Sequence, residues 1–392
     1  MAKENEIKTA VPALRFPEFQ DTEGWKEYKL KNLCEIGNGK DYKHLSSGNI
    51  PLYGSGGYMT SVDDFLYDGE SVCIGRKGTI DKPIFLTGKF WTVDTLFYTH
   101  SFNNCLPKFL YLIFQKINWY KYNEAGGVPS LSKTTIGEIN VFAPVGKKGE
   151  LKEQQKIADC LSSLDELIEA TTQKVETLKE HKKGLMQRLF PAEGKNVPDL
   201  RFPEFQGTSV WQSTLLGAVV DYENGRAHEN EIDEEGNFIV VNSKFISTDG
   251  EVVKRTNTPY CLADKEDILM VLSDVPNGRA IAKCFFVDQS GKYTVNQRIC
   301  RLRSKNINSK LLFYLINRNP YFLSFDDGVK QTNLKKSEVL ECPLMIPSSP
   351  IKQQKIADLL SSIDDLIIAT GQRIKSLKEH KKGLMQQLFP KI

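Results

Sequence analysis

The chain has 392 residues, of which 40% are hydrophobic and 26% are charged, a composition typical of globular proteins rather than of disordered or fibrous ones. Its length exceeds what one hydrophobic core usually serves, so two or more domains are expected. The formal net charge of +3 excludes a strongly basic chain that binds nucleic acid through overall charge alone. Any such binding must depend on local basic patches or on partner subunits.

The cysteines and the apolar runs indicate the cellular compartment. Eight cysteines are scattered without a Cys-x-x-Cys pair, and no apolar run reaches the roughly 18 residues that a bilayer span requires. The first twelve residues are polar and do not resemble a signal peptide. These features predict reduced thiols in a cytoplasmic protein. The five histidines are not spaced as metal ligands, so no metal site is expected.

An internal repeat begins near the start of the chain. The sequence Leu-Arg-Phe-Pro-Glu-Phe-Gln at residues 14–20 recurs at residues 200–206, an offset of about 186, and we call both copies the lead-in. The same offset relates Trp25 to Trp211. Such a repeat predicts two copies of one structural unit.

The stretch that follows each lead-in has a mixed α/β pattern. Short β-branched and aromatic runs bounded by glycine predict strands at residues 71–74, 90–98, 238–241, 268–272 and 281–287. Helix-like stretches occur late in each copy, at residues 107–118 and 309–317. Two α/β (α+β) domains in tandem are therefore expected.

Both copies contain turns that combine glycine, a basic residue and hydrogen-bonding side chains. Arginine and lysine can contact phosphates or guanine edges, and asparagine and glutamine can pair with adenine. Each turn alone is an ordinary solvated loop, but their recurrence favours DNA contact. The candidate DNA-binding residues are Lys40, Arg76, Lys77, Thr79, Ser132, Lys133, Arg226, Asn277, Arg279, Lys330, Gln331, Asn333 and Lys335.

Each copy ends in a long helical block, residues 154–191 and 353–390, and about 28 of the 38 aligned positions are identical. Apolar residues alternate at spacings of four and three, which predicts a coiled-coil seam on helices roughly 55 Å long. An antiparallel pairing of the two blocks is expected. The seam residues are Ile157, Leu161, Leu164, Ile168, Leu178, Leu185, Ile356, Leu360, Ile363, Ile367, Leu377 and Leu384.

Polar residues interrupt both seams at the same places, at Thr171 and Thr370 and at Lys182 and Lys381. They either fix the register of the pair or face another protein. The whole pattern predicts four parts. Residues 1–150 and 192–349 form the two α/β domains, and residues 151–191 and 350–392 form the two long helices.

No catalytic motif is recognisable. A glycine-rich phosphate loop is absent, and Asn319-Pro320-Tyr321-Phe322 lacks the second proline of an adenine-methylation pocket, so we interpret it as a helix-ending turn. No catalytic residue is therefore assigned. The remaining alternatives are a coiled-coil scaffold whose domains bind protein, and an enzyme that acts on DNA directly.

The order domain–helix–domain–helix, the lead-in, Ile-Gly-Arg-Lys-Gly-Thr at residues 74–79, Trp-Thr-Val-Asp at residues 91–94 and Gln-Gln-Lys-Ile-Ala-Asp at the helix start resemble the specificity subunit of type I restriction–modification systems. The resemblance implies a non-catalytic subunit that binds a bipartite DNA target. It also implies two modification methyltransferase subunits docked on the helices and restriction motor–nuclease subunits as further partners. No cofactor is then expected in this chain, because S-adenosylmethionine, ATP and Mg are used by those partners.

Overall fold

The structure is a computed structural model that describes residues 9–144, 150–207, 210–275 and 278–391. The chain divides into two compact units, Met1–Gln173 with Gly371–Ile392, and Lys174–Thr370. Each unit therefore combines one α/β lobe with parts of both long helices. We call residues 9–144 lobe 1 and residues 210–347 lobe 2.

Lobe 1 consists of eleven strands and two short helices among its described residues. The strands are β1 Thr9–Ala10, β2 Trp25–Lys29, β3 Glu35–Asn38, β4 Ser47–Gly54, β5 Gly57–Val62, β6 Tyr67–Asp68, β7 Ser71–Gly75, β8 Ile84–Leu86, β9 Lys89–Thr92, β10 Leu96–His100 and β11 Asn140–Ala143. The helices are α1 Pro107–Lys116 and α2 Lys133–Gly137, and the long helix α3 follows at Glu150–Leu189.

The strands of lobe 1 form three small sheets, ordered β1-β2-β11, β3-β10-β7-β8 and β5-β4-β9-β6. Most neighbours are antiparallel, but β4 and β9 are parallel, with Leu52 opposite Trp91. Strand β7 is buried along its whole length, because it lies between two neighbours and under α1. The main core of unit 1 joins this sheet to α1 and to the long helices.

Lobe 2 repeats this plan with small additions. Its strands are β12 Gln212–Leu215, β13 Val220–Asn224, β14 Phe238–Val241, β15 Arg255–Thr256, β16 Leu262–Ala263, β17 Ile268–Val271, β18 Ser273–Asp274, β19 Cys284–Phe286, β20 Tyr293–Val295, β21 Ile299–Ser304, β22 Thr332–Asn333 and β23 Pro343–Ile346. Its helices are α4 Leu216–Val219, α5 Ser243–Ser247, α6 Ser309–Ile316, α7 Pro320–Leu323 and α8 Lys336–Leu340, and the long helix α9 follows at Pro350–Gln387.

The two four-stranded sheets of lobe 2 match those of lobe 1 in strand order and direction. The order β13-β21-β17-β19 corresponds to β3-β10-β7-β8, and β15-β14-β20-β16 corresponds to β5-β4-β9-β6. Strands β14 and β20 are again parallel, with Ile239 opposite Tyr293. The predicted mixed α/β lobes with two long helices and an internal repeat are therefore confirmed.

Within unit 1, the first half of α3 packs against the last turns of α9. Ile157 and Leu161 are buried in one core with Leu388, while Lys381 Nζ lies 2.6 Å from Asp165 Oδ1. Ascending residue numbers on α3 therefore meet descending numbers on α9. The two helix segments of unit 1 are antiparallel.

Unit 2 contains the matching pair of helix segments. Leu189 is buried with Ile356 and Leu360, and Lys182 Nζ lies 2.5 Å from Asp364 Oδ1. This pair is also antiparallel. In both units the lysine that interrupts the seam forms an ion pair with an aspartate of the other helix, as expected of a residue that fixes register.

The hydroxyl groups of the two seam threonines form hydrogen bonds within their own helices. Thr171 Oγ1 donates to the carbonyl of Leu167, and Thr370 Oγ1 donates to that of Leu366, both at 2.6 Å. The structure buries or half-buries all twelve predicted seam residues. The Ser349 hydroxyl accepts the N–H of Lys352 at 3.4 Å, so it caps α9, and Pro350 follows as the first helical residue.

The lead-in of each lobe contacts the end of a long helix. In unit 1, the N–H of Leu14 donates to the carbonyl of Gln387 at 3.0 Å. In unit 2, the N–H of Leu200 donates to the carbonyl of Arg188 at 2.8 Å. Both contacts satisfy a carbonyl that a helix end leaves without an intrahelical partner.

A buried ion pair fixes the lead-in of unit 1 to the start of α3. Arg15 donates to the two carboxylate oxygens of Glu153 at 2.7 Å each, and Trp25 Nε1 donates to the same carboxylate at 3.1 Å. All three side chains are buried. A bidentate ion pair of this kind is among the strongest polar interactions in proteins.

Two predictions on local structure were wrong, and a third was right only in part. The run at residues 90–98 forms two strands, because a turn at residues 93–95 closes when Leu96 N donates to Val93 O at 2.9 Å. The run at residues 281–287 has a strand only at Cys284–Phe286, since Ala282 has a φ of +54° and breaks the extended chain. Asn319 lies in the turn that ends α6, since its N–H donates to Ile316 O at 3.1 Å, but residues 320–323 then form a helix, α7, with the Asn319 side chain accepting the N–H of Tyr321.

The buried ion pair leads to a stability prediction. Replacing Glu153 with alanine should lower the free energy of unfolding of unit 1 by about 3–5 kcal/mol, because the buried charge of Arg15 loses its partner. Hydrogen exchange at rising urea concentration would follow unit 1 separately. Glu18→Ala is the matched control, since its ion pair with Lys156 is exposed and its loss should have little effect. Equal effects of the two changes would contradict this account.

Candidate nucleic-acid interface

A tight glycine turn in lobe 1 presents Lys40 to solvent. The N–H of Gly39 donates to the carbonyl of Leu96 at 3.1 Å, and the N–H of Lys40 donates to that of Thr92 at 2.9 Å. A Cβ atom on Gly39 would lie 1.9 Å from the carbonyl oxygen of Val93, so no other residue fits there. The turn is thus held at the carboxyl end of β9, with the Lys40 side chain exposed.

Lobe 2 repeats this turn with arginine in place of lysine. The N–H of Gly225 donates to Ile299 O at 2.9 Å, and that of Arg226 donates to Val295 O at 3.0 Å. A Cβ atom on Gly225 would lie 2.1 Å from the carbonyl oxygen of Asn296. Both lobes therefore place an exposed cation at the carboxyl end of the same central strand, β9 or β20.

A second basic turn in lobe 1 lies beside the first. The N–H of Arg76 donates to the carbonyl of Thr95 at 2.8 Å. Thr95 lies three residues after Thr92, whose carbonyl accepts the N–H of Lys40. Lys77 bridges to Ser130, which joins this turn to the loop before α2. Arg76 and Lys77 are exposed, and Thr79 is half-buried. The structure therefore brings Lys40, Arg76 and Lys77 to one edge of lobe 1.

The loop before α2 contributes Ser132 and Lys133. Ser132 Oγ accepts the N–H of Thr135 at 3.1 Å and donates to Glu124 at 2.7 Å, so it caps α2. Lys133 is the first residue of α2 and is half-buried. Ser132 thus has a structural role, and a contact of either residue with DNA stays a prediction.

In lobe 2, an aspartate shapes the loop that carries Arg279. The Asp274 carboxylate accepts the N–H of Ala280 at 2.6 Å and that of Ile281 at 3.1 Å. Arg279 is exposed. Asn277, the other candidate in this loop, lies outside the described residues.

A short two-stranded ladder brings the second polar segment of lobe 2 beside this loop. Strands β18 and β22 pair Ser273 with Asn333, and Gln331 Nε2 donates to Ser273 Oγ at 2.7 Å. Lys330, Gln331 and Asn333 are exposed. Lys335 is the N-cap residue of α8, and its backbone N–H donates to Glu338 Oε2 at 2.7 Å. Its Nζ lies 3.6 Å from Glu338 Oε1, which partly neutralises its charge.

The remaining candidate cations are not neutralised by a carboxylate. Across the ranges that the structure describes, Lys40, Arg76, Lys77, Lys133, Arg226, Arg279 and Lys330 form no ion pair. Arg303 instead pairs with Asp267 at 2.8 Å, and Lys305 pairs with Asp221 at 2.9 Å. These loops therefore present positive charge that is not held in an ion pair and can attract phosphates.

Sequence reasoning missed two features of these loops. Asp274 precedes Val-Pro-Asn-Gly, and an aspartate before such a turn signals a side chain that accepts backbone N–H groups, so it could have been found. Tyr58 and Met59 on the neighbouring strand β5 are two large side chains that are 62% and 51% exposed. No signal in the sequence distinguishes these two exposed residues from residues of a buried strand.

Metal ligands, membrane spans and reactive thiols are the remaining candidate features. The described residues contain no cluster of three or more His, Cys, Asp or Glu able to hold a metal ion, and no helix among them is long and apolar enough to cross a membrane. The eight cysteines are free. Burial raises the pKa of Cys34 and that of Cys73 to about 12, so these thiols are poor nucleophiles at neutral pH.

Comparisons with known proteins point to one family. A family model described as type I restriction modification DNA specificity domain matches residues 22–180 and 209–379. The type I restriction enzyme MjaVIII specificity subunit of Methanocaldococcus jannaschii is 25% identical over 408 residues, covering 98% of this chain and 89% of the relative. The MjaIX specificity subunit of the same organism is 23% identical over 435 residues, covering 95% of each chain.

Solved structures show the same fold. The S subunit of a type I restriction–modification system from M. genitalium has a TM-score of 0.68 at 15% identity, covering 98% of this chain and 100% of that one. Two copies of the specificity domain, each running from a lobe into its long helix, account for most of the sequence. The chain therefore belongs to the family of type I restriction–modification specificity subunits, a non-catalytic family.

Proposed function

We propose that this chain recognises a bipartite DNA target, with one half-site bound by each lobe, and directs methyltransferase and restriction subunits to it. The observation that carries the proposal is the repeated glycine turn. Lys40 and Arg226 are exposed, unpaired cations held at the same place in two matching sheets. Cations fixed in this way suit contact with phosphates or with guanine edges.

The loops beside these turns differ between the lobes, which supports two different half-sites. Lobe 1 presents Arg76 and Lys77 on a turn tied to residue 95, whereas lobe 2 presents Arg279 and the segment 330–333 on a β-ladder. Different side chains at matching places would bind different base edges. The scaffold beneath them is the same in both lobes.

The long helices are proposed to set the distance between the half-sites. Helix α3 has 40 residues and α9 has 38, which corresponds to about 60 Å for an unbroken α-helix. A helix pair with interlocking seam residues and interhelix ion pairs is stiff enough to act as a spacer. Base pairs between the half-sites would then make no sequence-specific contact with either lobe.

The outer faces of the same helices are proposed to dock two copies of one methyltransferase subunit. Leu167 on α3 and Leu366 on α9 occupy equivalent positions and are 40% and 43% exposed. Equivalent apolar positions on two nearly identical helices would suit two identical partners. Those partners would use S-adenosylmethionine, and the restriction subunits would use ATP and Mg. We place the complex in the cytoplasm, where it meets DNA.

The first test concerns DNA recognition by the complex with its methyltransferase subunits. Mapping methylated adenines in the host genome would define the target. Lys40→Ala and Arg226→Ala should each lower affinity for that target roughly tenfold, because each removes one charged contact. Each loss should be confined to one half-site, measured by fluorescence anisotropy with duplexes altered in one half.

The matched control is Lys305→Ala, whose charge is already paired with Asp221 at the opposite end of strand β13. The affinity of the Lys305→Ala protein for the target DNA should be unchanged. Unchanged affinity in Lys40→Ala and Arg226→Ala would overturn the assigned surface. Methylation without any sequence preference would instead favour a protein-binding scaffold.

A second test concerns the spacer. Leu164→Glu with Leu178→Glu places two charges in the seam and should reduce affinity for the split site to that for a single half-site, since the lobes lose their fixed separation. The control introduces the same charges at exposed positions, Thr172→Glu with Gln187→Glu. If the seam variant still binds the split site with full affinity, the helices do not set the spacing.

A third test concerns partner docking. Leu167→Asp and Leu366→Asp should each remove one of two methyltransferase copies, and the double variant both, because a charge replaces an apolar contact. Native mass spectrometry would count the subunits. Lys183→Asp and Lys382→Asp are controls on the exposed surface of the same helices. Two copies retained by the double variant would exclude these positions from the interface.

A further inference from the structure

The buried ion pair of unit 1 has an altered counterpart in unit 2. In unit 1, the Glu153 carboxylate accepts hydrogen bonds from Arg15 and Trp25. The lead-in repeat relates these two residues to Arg201 and Trp211, and the helix repeat relates Glu153 to Lys352. An ammonium group therefore occupies the position of a carboxylate, with the neighbouring donors unchanged.

The donors in unit 2 lack acceptors. Lys352 is 4% exposed and Trp211 is 2% exposed. Lys352 Nζ and Trp211 Nε1 are both buried, and neither has a hydrogen-bond partner among the residues that the structure describes. A buried donor without an acceptor is costly, and a buried unpaired charge more so.

Aromatic rings offer Lys352 only a weak substitute for an anion. Its Nζ lies 5.6 Å from the ring centroid of Trp211 and 6.0 Å from that of Phe205, which permits cation–π attraction. Burial, together with the positive charge of Arg201, lowers the pKa of Lys352. The ammonium group is thus placed where positive charge is disfavoured.

The surroundings of this exchange are otherwise matched in the two units. The neighbouring ion pair between Glu18 and Lys156 in unit 1 reappears as Glu204 with Lys355 in unit 2. Glu204 is therefore already paired. The buried amide of Gln154, which donates to Pro144 O at 3.1 Å, reappears as Gln353, which donates to Pro347 O at 2.8 Å.

We propose that a small inorganic anion of the chloride type binds between Lys352, Trp211 and Arg201, where it replaces the carboxylate of Glu153. The site lies in the first turn of α9, and the positive end of a helix dipole favours an anion there. The burial of Lys352 and Trp211 limits the ligand to a small ion. The ion would attach the lead-in of unit 2 to the start of α9, as Glu153 attaches that of unit 1 to α3.

The test is the chloride dependence of thermal unfolding of the full chain. Above the dissociation constant, each tenfold rise in chloride should raise the melting temperature of unit 2 by about 3–6 °C in the wild type. Lys352→Glu restores the carboxylate of unit 1, so it should melt higher at low chloride and lose this dependence. The difference between the two proteins removes general salt effects, which both share.

Lys352→Met is a second variant, which removes the cation without supplying a carboxylate. It should lose most of the chloride dependence without the gain in stability at low chloride. Parallel responses of the wild type and both variants would overturn the proposal. So would a Lys352→Glu protein that melts below Lys352→Met at low chloride.

A direct test locates the ion. Crystals of the wild type grown in sodium bromide should give an anomalous peak within hydrogen-bond distance of Lys352 Nζ and Trp211 Nε1, and Lys352→Glu crystals should give none there. Bromide found only on the exposed surface would be an adventitious ion only, and that result would overturn the proposal.

Discussion

A long helix with a narrow apolar stripe cannot bury that stripe alone, and this constraint organises both units. Each unit solves it by setting an α3 segment antiparallel to an α9 segment and then closing the seam with the core of a lobe. Ile157 and Leu161 share one core with Trp25 and Phe109, so the lobe and the helices of unit 1 are not separate packing layers. Each lead-in donates a backbone N–H to a carbonyl at the end of a long helix, and that carbonyl would otherwise lack a hydrogen-bond partner.

The helices could be predicted well because their signal is periodic and long. Helix α9 begins at Pro350, which the Ser-Pro pair marks, and ends at Gln387, just before Phe-Pro. The strand at 90–98 was harder, since an apolar run carries no mark of the turn at residues 93–95, which depends on hydrogen bonding. Long-range packing decides such turns, and local propensity does not contain it.

The site shows the same limit. Exposure of Lys40 and Arg226 followed from their glycine turns, but the capping role of Ser132 depends on Glu124 and on the start of α2. The exchange of Glu153 for Lys352 stands in the printed sequence one residue before the aligned helical blocks. Its meaning appears only when burial shows that both side chains are enclosed. Sequence reasoning recovers what is local or periodic and misses what depends on enclosure.

The glycine turns have a consequence for how target preference can change. Main-chain hydrogen bonds to strand carbonyls hold the backbone of residues 39–40 and 225–226, so the side chains of Lys40 and Arg226 take no part in holding it. Their conformation is set before any ligand arrives, which lowers the entropy lost on binding. New side chains can be installed on such a platform without refolding it, so the identity of the recognised sequence is free to evolve while the architecture stays the same.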